Sequence, residues 1–230
     1  MKFNPHVLYE DNHLLVIEKP VGILSQADYT KDPNLVDLIK EYLKLKYQKP
    51  GNVYLGLVQR LDRPVGGVMI FGKTSKASTR LQEQMRSGEI RKNYLAIAEH
   101  HPPEEVGRLI HYLSKDEEIN KTKVYDNPKK DAKECILDYK VLANINGKCL
   151  LKIDLHTGRS HQIRAQLAHI SCPICGDMKY GKHKSKDEND IALFSYKLSL
   201  VHPVSKEKLS WTSFPKNEGY WKGFAPFFPK

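Results

Sequence analysis

The sequence predicts an α+β protein with a largely antiparallel or mixed sheet. Three observations carry that expectation. Strand-like segments outnumber helical ones, several are paired across tight turns, and the composition is that of a globular chain. Of 230 residues, 40% are hydrophobic and 28% charged. That is enough apolar side chain to bury a core as one large domain or two closely joined lobes, spanning residues 1–230.

Taken in order, residues 7–18 read as two short strands around an Asp11-Asn12 turn. Asn34 caps a helix whose apolar face is Leu35, Leu38, Ile39, Tyr42 and Leu43, ended by Pro50-Gly51. A strand-like run, Val53–Val58, leads into Gln59-Arg60-Leu61-Asp62-Arg63-Pro64. Gly66-Gly67 opens another apolar run to Phe71, and Ser75 is the expected N-cap of a helix through Met85 that stops near Gly88. Residues 91–99 read as a strand. Residues 101–130 are polar around one apolar patch, Leu109–Leu113, and are expected to form a surface excursion or a seam between lobes. Glu134–Leu142 and Lys148–Leu155 flank Asn146-Gly147, the strongest hairpin signal in the chain. A helix starting near Ser160 and running through Ile170 follows, then a charged loop at 182–190 and a strand from Ile191 to Val201. The Lys/Glu-rich stretches at 115–130 and 182–190 read as solvated loops. The aromatic tail, from Trp211 to Phe228, reads as packing on its own domain.

Charge and cysteines narrow the function. Lys and Arg number 37 against 27 Asp and Glu, a net charge of +10 that favours a polyanion such as nucleic acid. No stretch approaches the roughly 18 apolar residues that cross a bilayer, and the N-terminus lacks the apolar run of a signal peptide. A cytoplasmic protein with no membrane partner is expected. Cys135, Cys149, Cys172 and Cys175 are too few for a disulfide scaffold. Cys172 and Cys175 make a C-x-x-C that His169 and His183 could complete, but with no second ligand pair at metal spacing, buried thiols and no metal are expected.

Two constellations carry chemistry. Asp62 stands between Arg60 and Arg63, in a positive field that favours its ionised form, and an ionised carboxylate in a cleft can act as a nucleophile. By itself the pattern fits a surface ion pair better, although Gly66-Gly67 would permit close backbone approach to a ligand. The second is Leu155 through Arg164. A helix beginning near Ser160 would offer N–H groups to a phosphate, beside Arg159 and His161. Ile163, Leu167 and Ile170 would face the core, and Arg164, one position off that stripe, would emerge at the edge of a cleft.

The segment Gly56–Gly67 resembles the H-R-L-D signature of the RluA-type RNA pseudouridine synthases. Thr157–Arg164 is similar to their T-G-R-x-H-Q motif, Pro173–Gly181 to their G-D-x-x-Y-G segment, and Lys92–Ala96 to their K-x-Y-x-A strand. Val7–Gly22 resembles their N-terminal hairpin. Gln59 departs from the usual His, and Gly66 from a common Ser. The matches run in order from about residue 7 to about residue 203, so the resemblance implies a stand-alone catalytic domain with no separate N-terminal RNA-binding domain.

That resemblance implies a mixed, mainly antiparallel sheet with flanking helices and a central catalytic cleft. It implies Asp62 as the catalytic aspartate, Tyr94 as the ring that stacks on the target base, and Arg164 as the cation paired with Asp62. Arg60, Leu61, Arg63, Gly158, Arg159, His161 and Gln162 occupy motif positions that would bind RNA. The implied reaction, uridine to pseudouridine in structured ribosomal or transfer RNA, needs no cofactor, and a monomer is expected. Whether Asp62 adds to the base or acts at the sugar stays open. Two rival readings are an RNA-binding protein without catalysis, and a sugar or nucleoside hydrolase. The hydrolase would require a pair of carboxylates, where the motifs supply one acid among arginines.

Overall fold

The computed structural model describes residues 3–116, 118–181 and 189–230. It divides into two compact units, one of Met1–Ile90 with Ser195–Ser213, the other of Arg91–Phe194 with Phe214–Lys230. The fold is α+β, with three helices against eleven strands among the described residues. None of these helices is long and apolar enough to cross a membrane.

In the first unit, β1 (His6–Glu10) and β2 (Leu14–Lys19) form the expected hairpin. The Asp11 carboxylate holds its turn by accepting N–H bonds from His13 and Leu14 at 2.7 and 2.6 Å. Helix α1 (Leu35–Lys46) starts at Asn34, whose side chain accepts from the Asp37 N–H, and it buries Leu35, Ile39 and Leu43. The strand expected over Val53–Val58 shrinks to β3 (Gly56–Leu57), which pairs only with the end of β4 (Gly66–Gly72). The N-cap of α2 (Ser75–Ser87) is Thr74, one residue earlier than read, while Gly88 closes the helix in the left-handed region. β4 lies between β2 and β10 (Leu193–Val201), and β11 (Lys208–Thr212) pairs with β10. β10 begins two residues later than the expected Ile191.

One face of these strands buries Leu14, Val16, Val68, Ile70, Leu198, Leu200 and Trp211 together with Leu81 and Ile90. By the two-residue period of a strand, Leu15, Ile17, Met69 and Phe71 point the other way, and they too are fully buried. Strands covered on both faces read as unbroken apolar runs, which made β2 and β4 easy to find. Gly67, at φ +117, has no room for a Cβ because the Ser195 backbone lies against it. Its glycine serves the approach of β10 to β4 rather than of a ligand.

In the second unit, β5 (Arg91–Ala98), β9 (Lys148–Leu155), β8 (Lys133–Ile145), β6 (Val106–Asp116) and β7 (Lys121–Tyr125) are neighbours in that order, all antiparallel. The β8–β9 turn puts Asn146 and Gly147 at φ 52 and 79, the left-handed pair that a two-residue hairpin needs. Within residues 101–130, expected as a surface excursion or a seam between lobes, β6 and β7 pair as an antiparallel hairpin. Within the 115–130 stretch, expected as a solvated loop, Lys121–Tyr125 is strand, whereas 126–130 is loop. The apolar patch is split by the strand period, with Leu113 buried and Ile110 exposed.

Helix α3 spans Gln162–His169, two residues shorter at its start than expected. The tail forms two short 3-10 turns, Gly219–Trp221 and Ala225–Phe227. Phe214 stacks on Phe228 at 5.4 Å, Trp221 meets Phe228 edge-on and Phe224 is buried, so the tail packs within this unit. Most of the charged loop expected at 182–190, with His183, lies outside the described residues.

Candidate active site

In the first unit, Asp62 sits half-buried on the loop that joins β3 to β4. Three anchors hold this loop. Ser25, buried beneath it, donates to the Leu61 carbonyl at 2.6 Å and accepts the Leu61 N–H at 3.1 Å. The Asp62 carbonyl takes the Val65 N–H at 3.0 Å, closing a tight turn. Lys19, 0% exposed at the end of β2, donates to the carbonyls of Pro20, Arg63 and Val65 at 3.0, 3.1 and 2.9 Å. Burial pushes its ammonium down to about 7, against the pull of the Asp62 carboxylate and with a push from Arg63. Arg63 pairs with Asp32 at 2.8 Å and donates to the Gly22 carbonyl, whereas Arg60 is exposed and Leu61 buried. The Gln59 amide donates to the Val68 carbonyl at 3.0 Å.

In the second unit, β5 carries Tyr94, 6% exposed, and Lys92, which stands opposite Leu155 at the end of β9. The T-G-R loop therefore starts beside Lys92. A Cβ on Gly158 would lie 3.3 Å from the Lys92 Nζ, so the glycine makes room for that ammonium. Burial, with the charge of Arg159 adding to it, pushes Lys92 down to about 8.

Gln162 braces the loop from within. Its Oε1 accepts from the Thr157 hydroxyl and the Arg159 N–H, and its Nε2 donates to the Ile136 carbonyl and to Gln166 Oε1. The resemblance places Gln162 among residues that bind RNA, yet its amide is buried and spent inside the protein. Arg159 remains exposed. No side chain caps α3, and His161, at its N-cap with φ 52, meets the Tyr180 hydroxyl through Nδ1 at 2.9 Å.

Arg164 does not emerge at an edge. It is 4% exposed, and its Nε and Nη2 both donate at 2.8 Å to Asp177, which is fully buried. Burial alone would raise the Asp177 carboxyl, but Arg164 and the N–H groups of Lys179 and Tyr180 outweigh it and hold the group below its usual range. Asp177 and Tyr180 were visible only as motif letters. The signal pointing to Asp177 was an acid directly after Gly176 in an otherwise apolar stretch.

Gln166 continues the brace, donating to the Leu109 carbonyl and to His111 Nδ1. The polarity of this chain is fixed at its ends, since the Arg159 N–H only donates and the Ile136 and Leu109 carbonyls only accept. His111 Nδ1 must then be the unprotonated nitrogen, which leaves the ring proton on Nε2, 3.7 Å from Asp126. His111, Asp126 and His169 hold three ligand-type atoms within 4.8 Å of one another. With Nε2 protonated, His111 faces Asp126 as a donor, an arrangement suited to hydrogen bonding rather than to a metal. The four cysteines are free and buried, and burial pushes the Cys135 and Cys175 thiols up to about 11.

A family model described as RNA pseudouridylate synthase matches residues 13–169, more than half of the chain and inclusive of the Asp62 loop, β5 and α3. The chain belongs to the RNA pseudouridylate synthase family. Among relatives in this family, the ribosomal large subunit pseudouridine synthase C of Buchnera aphidicola subsp. Baizongia pistaciae is 32% identical over 92% of the chain and 67% of that protein. The ribosomal large subunit pseudouridine synthase D of Xanthomonas campestris is 30% identical over 89% of the chain and 64% of that protein. The chain thus spans about two thirds of the length of these pseudouridine synthases. A human RNA pseudouridylate synthase domain containing protein 4 shares the fold at a TM-score of 0.75, with 22% identity, covering 90% of this chain and 87% of that one.

Proposed function

We propose that the protein is an RNA pseudouridine synthase that isomerises a specific uridine in structured RNA, with Asp62 as nucleophile. The observation that carries this reading is the family match, which spans the Asp62 loop, whose backbone is held by Lys19, Ser25 and its own turn. The names of the relatives favour ribosomal over transfer RNA as the substrate. The reaction breaks the bond between base and ribose, turns the base and rejoins it through carbon 5. It is redox-neutral and needs no energy source, so no cofactor is proposed.

On this reading a target uridine leaves its stack, which costs a few kcal/mol and least in loops or distorted helices. Tyr94 supplies an aromatic partner for the extruded base, worth roughly 1–3 kcal/mol. Arg164 supplies the cation of the active site. Exposed Arg60 and Arg159, with neighbouring lysines, would meet backbone phosphates, giving binding that weakens as salt rises. We further propose that the protein acts as a cytoplasmic monomer.

The test is tritium release from RNA labelled at carbon 5 of uridine, with product mapped in RNA from cells with and without the protein. Asp62→Asn is expected to abolish release while RNA binding survives. Undiminished turnover in that variant refutes the assignment.

A further inference from the structure

We propose that Asp177 is a positioning residue that sets the orientation of Arg164, an inference that rests on the reaction proposed above. The carboxylate engages Nε and Nη2 together, each at 2.8 Å, which is the fork geometry only a guanidinium can satisfy. Two contacts on one edge fix both the plane of the guanidinium and its rotation about the side-chain axis, so the direction of Nη1 is set as well.

Asp177 is itself immobilised. Its Oδ1 also accepts the N–H groups of Lys179 and Tyr180, at 2.9 and 3.1 Å. Its own N–H donates to the Ile174 carbonyl, and its carbonyl accepts from Gly181. The segment that carries it is tied to β5 through the Cys175 N–H on the Ile97 carbonyl at 2.8 Å. On the other side Tyr180 underlies the guanidinium, its ring centre 5.5 Å from the Arg164 Cζ. The Tyr180 hydroxyl accepts the Thr122 N–H at 2.7 Å and meets His161. Arg164 is thereby held at its edge by Asp177 and on its face by Tyr180.

Burying both charges is a poor way to gain stability. Desolvating such a pair offsets most of its attraction, and apolar residues of similar volume often serve as well or better. What the pair supplies is a cation whose direction does not vary. A misplacement of about 1 Å in a reacting group can cost on the order of a hundredfold in rate.

The experiment compares wild type with Asp177→Asn, Arg164→Lys and the double variant, reading kcat, KM for RNA, melting temperature and the Arg164 Nε–H signal by NMR. Asp177→Asn keeps the size and one acceptor but loses the charged fork. It is expected to lower kcat by roughly 10- to 100-fold with KM changed less than about threefold, and the double variant should be no slower than the slower single. Unchanged kcat in a folded Asp177→Asn protein overturns the proposal, as does a raised KM with kcat intact. If Asp177→Asn does not fold, Asp177→Glu decides, since it keeps the charge and displaces the fork. A fall in its kcat with KM unchanged supports the proposal and an unchanged kcat overturns it. A wild-type protein inactive on every RNA, whose Arg164 Nε–H exchanges slowly and is lost in Asp177→Asn, refutes the assigned reaction and upholds the orientation lock.

Discussion

An ammonium group has three N–H bonds to place, and Lys19 places all three on carbonyls, two of them on the Asp62 loop. Replacing it with methionine keeps the apolar stem and strips these carbonyls of a buried donor. Lys19→Met is expected to cost about 2 kcal/mol of stability, measured by urea denaturation, because an unsatisfied buried polar group costs roughly 1–3 kcal/mol. It should also lower activity by freeing the loop, and a variant as stable and active as wild type would refute this role. Asp62, Arg159 and Arg164 stand out as candidates in the sequence because their motifs are contiguous. The work of Lys19 does not, since its loop partners lie 44 and 46 residues away. Arg164 was misjudged for a related reason. Spacing along α3 put it off the apolar stripe, but the carboxylate that lets it be buried arrives 13 residues later.

Helix ends obey local rules, and here the sequence was nearly sufficient. Asn34 and Gly88 cap their helices as their residue types predict. Thr74 and Ser75 are both good N-cap residues, and only the structure shows that the Thr74 hydroxyl takes the Ala77 N–H, at 3.2 Å. Thr74→Ala should therefore destabilise the protein by about 1 kcal/mol, whereas exposed Ser75→Ala should stay within about 0.5 kcal/mol. Equal effects in thermal denaturation would disprove the assignment. The β8–β9 hairpin was legible for the same local reason, a two-residue turn that needs left-handed backbone. The β6–β7 hairpin was not. β6 is recognised by its register with β8, some thirty residues on, where Arg108 faces Asp138 and grips it with two bonds of 2.6 and 2.8 Å. A polar, half-exposed strand of this kind looks like loop until its partner is known.

For the whole molecule, the buried titratable groups dictate how stability varies with pH. Lys19 and Lys92 titrate near 7 and 8 when folded and at 10.5 when unfolded. Across that interval the unfolded chain holds protons that the native protein lacks, so stability rises with pH. From about 9 the unfolded thiols begin to ionise, while burial keeps Cys135 and Cys175 protonated to about 11, which reverses the slope. The melting temperature should climb from pH 7 to a maximum near pH 9 and then fall, and Lys19→Met should flatten the climb. A profile falling steadily from pH 7 would contradict this. The division of the chain into units has a consequence for synthesis. The core of the first unit needs Leu198, Leu200 and Trp211 as well as Leu14 and Val68, so its opening ninety residues leave the ribosome unable to complete any core. At roughly 5–20 residues per second they wait on the order of ten seconds for the strands that finish it. During that wait the apolar faces of β2 and β4 stay uncovered, and a chaperone able to hold them would protect the nascent protein from aggregation.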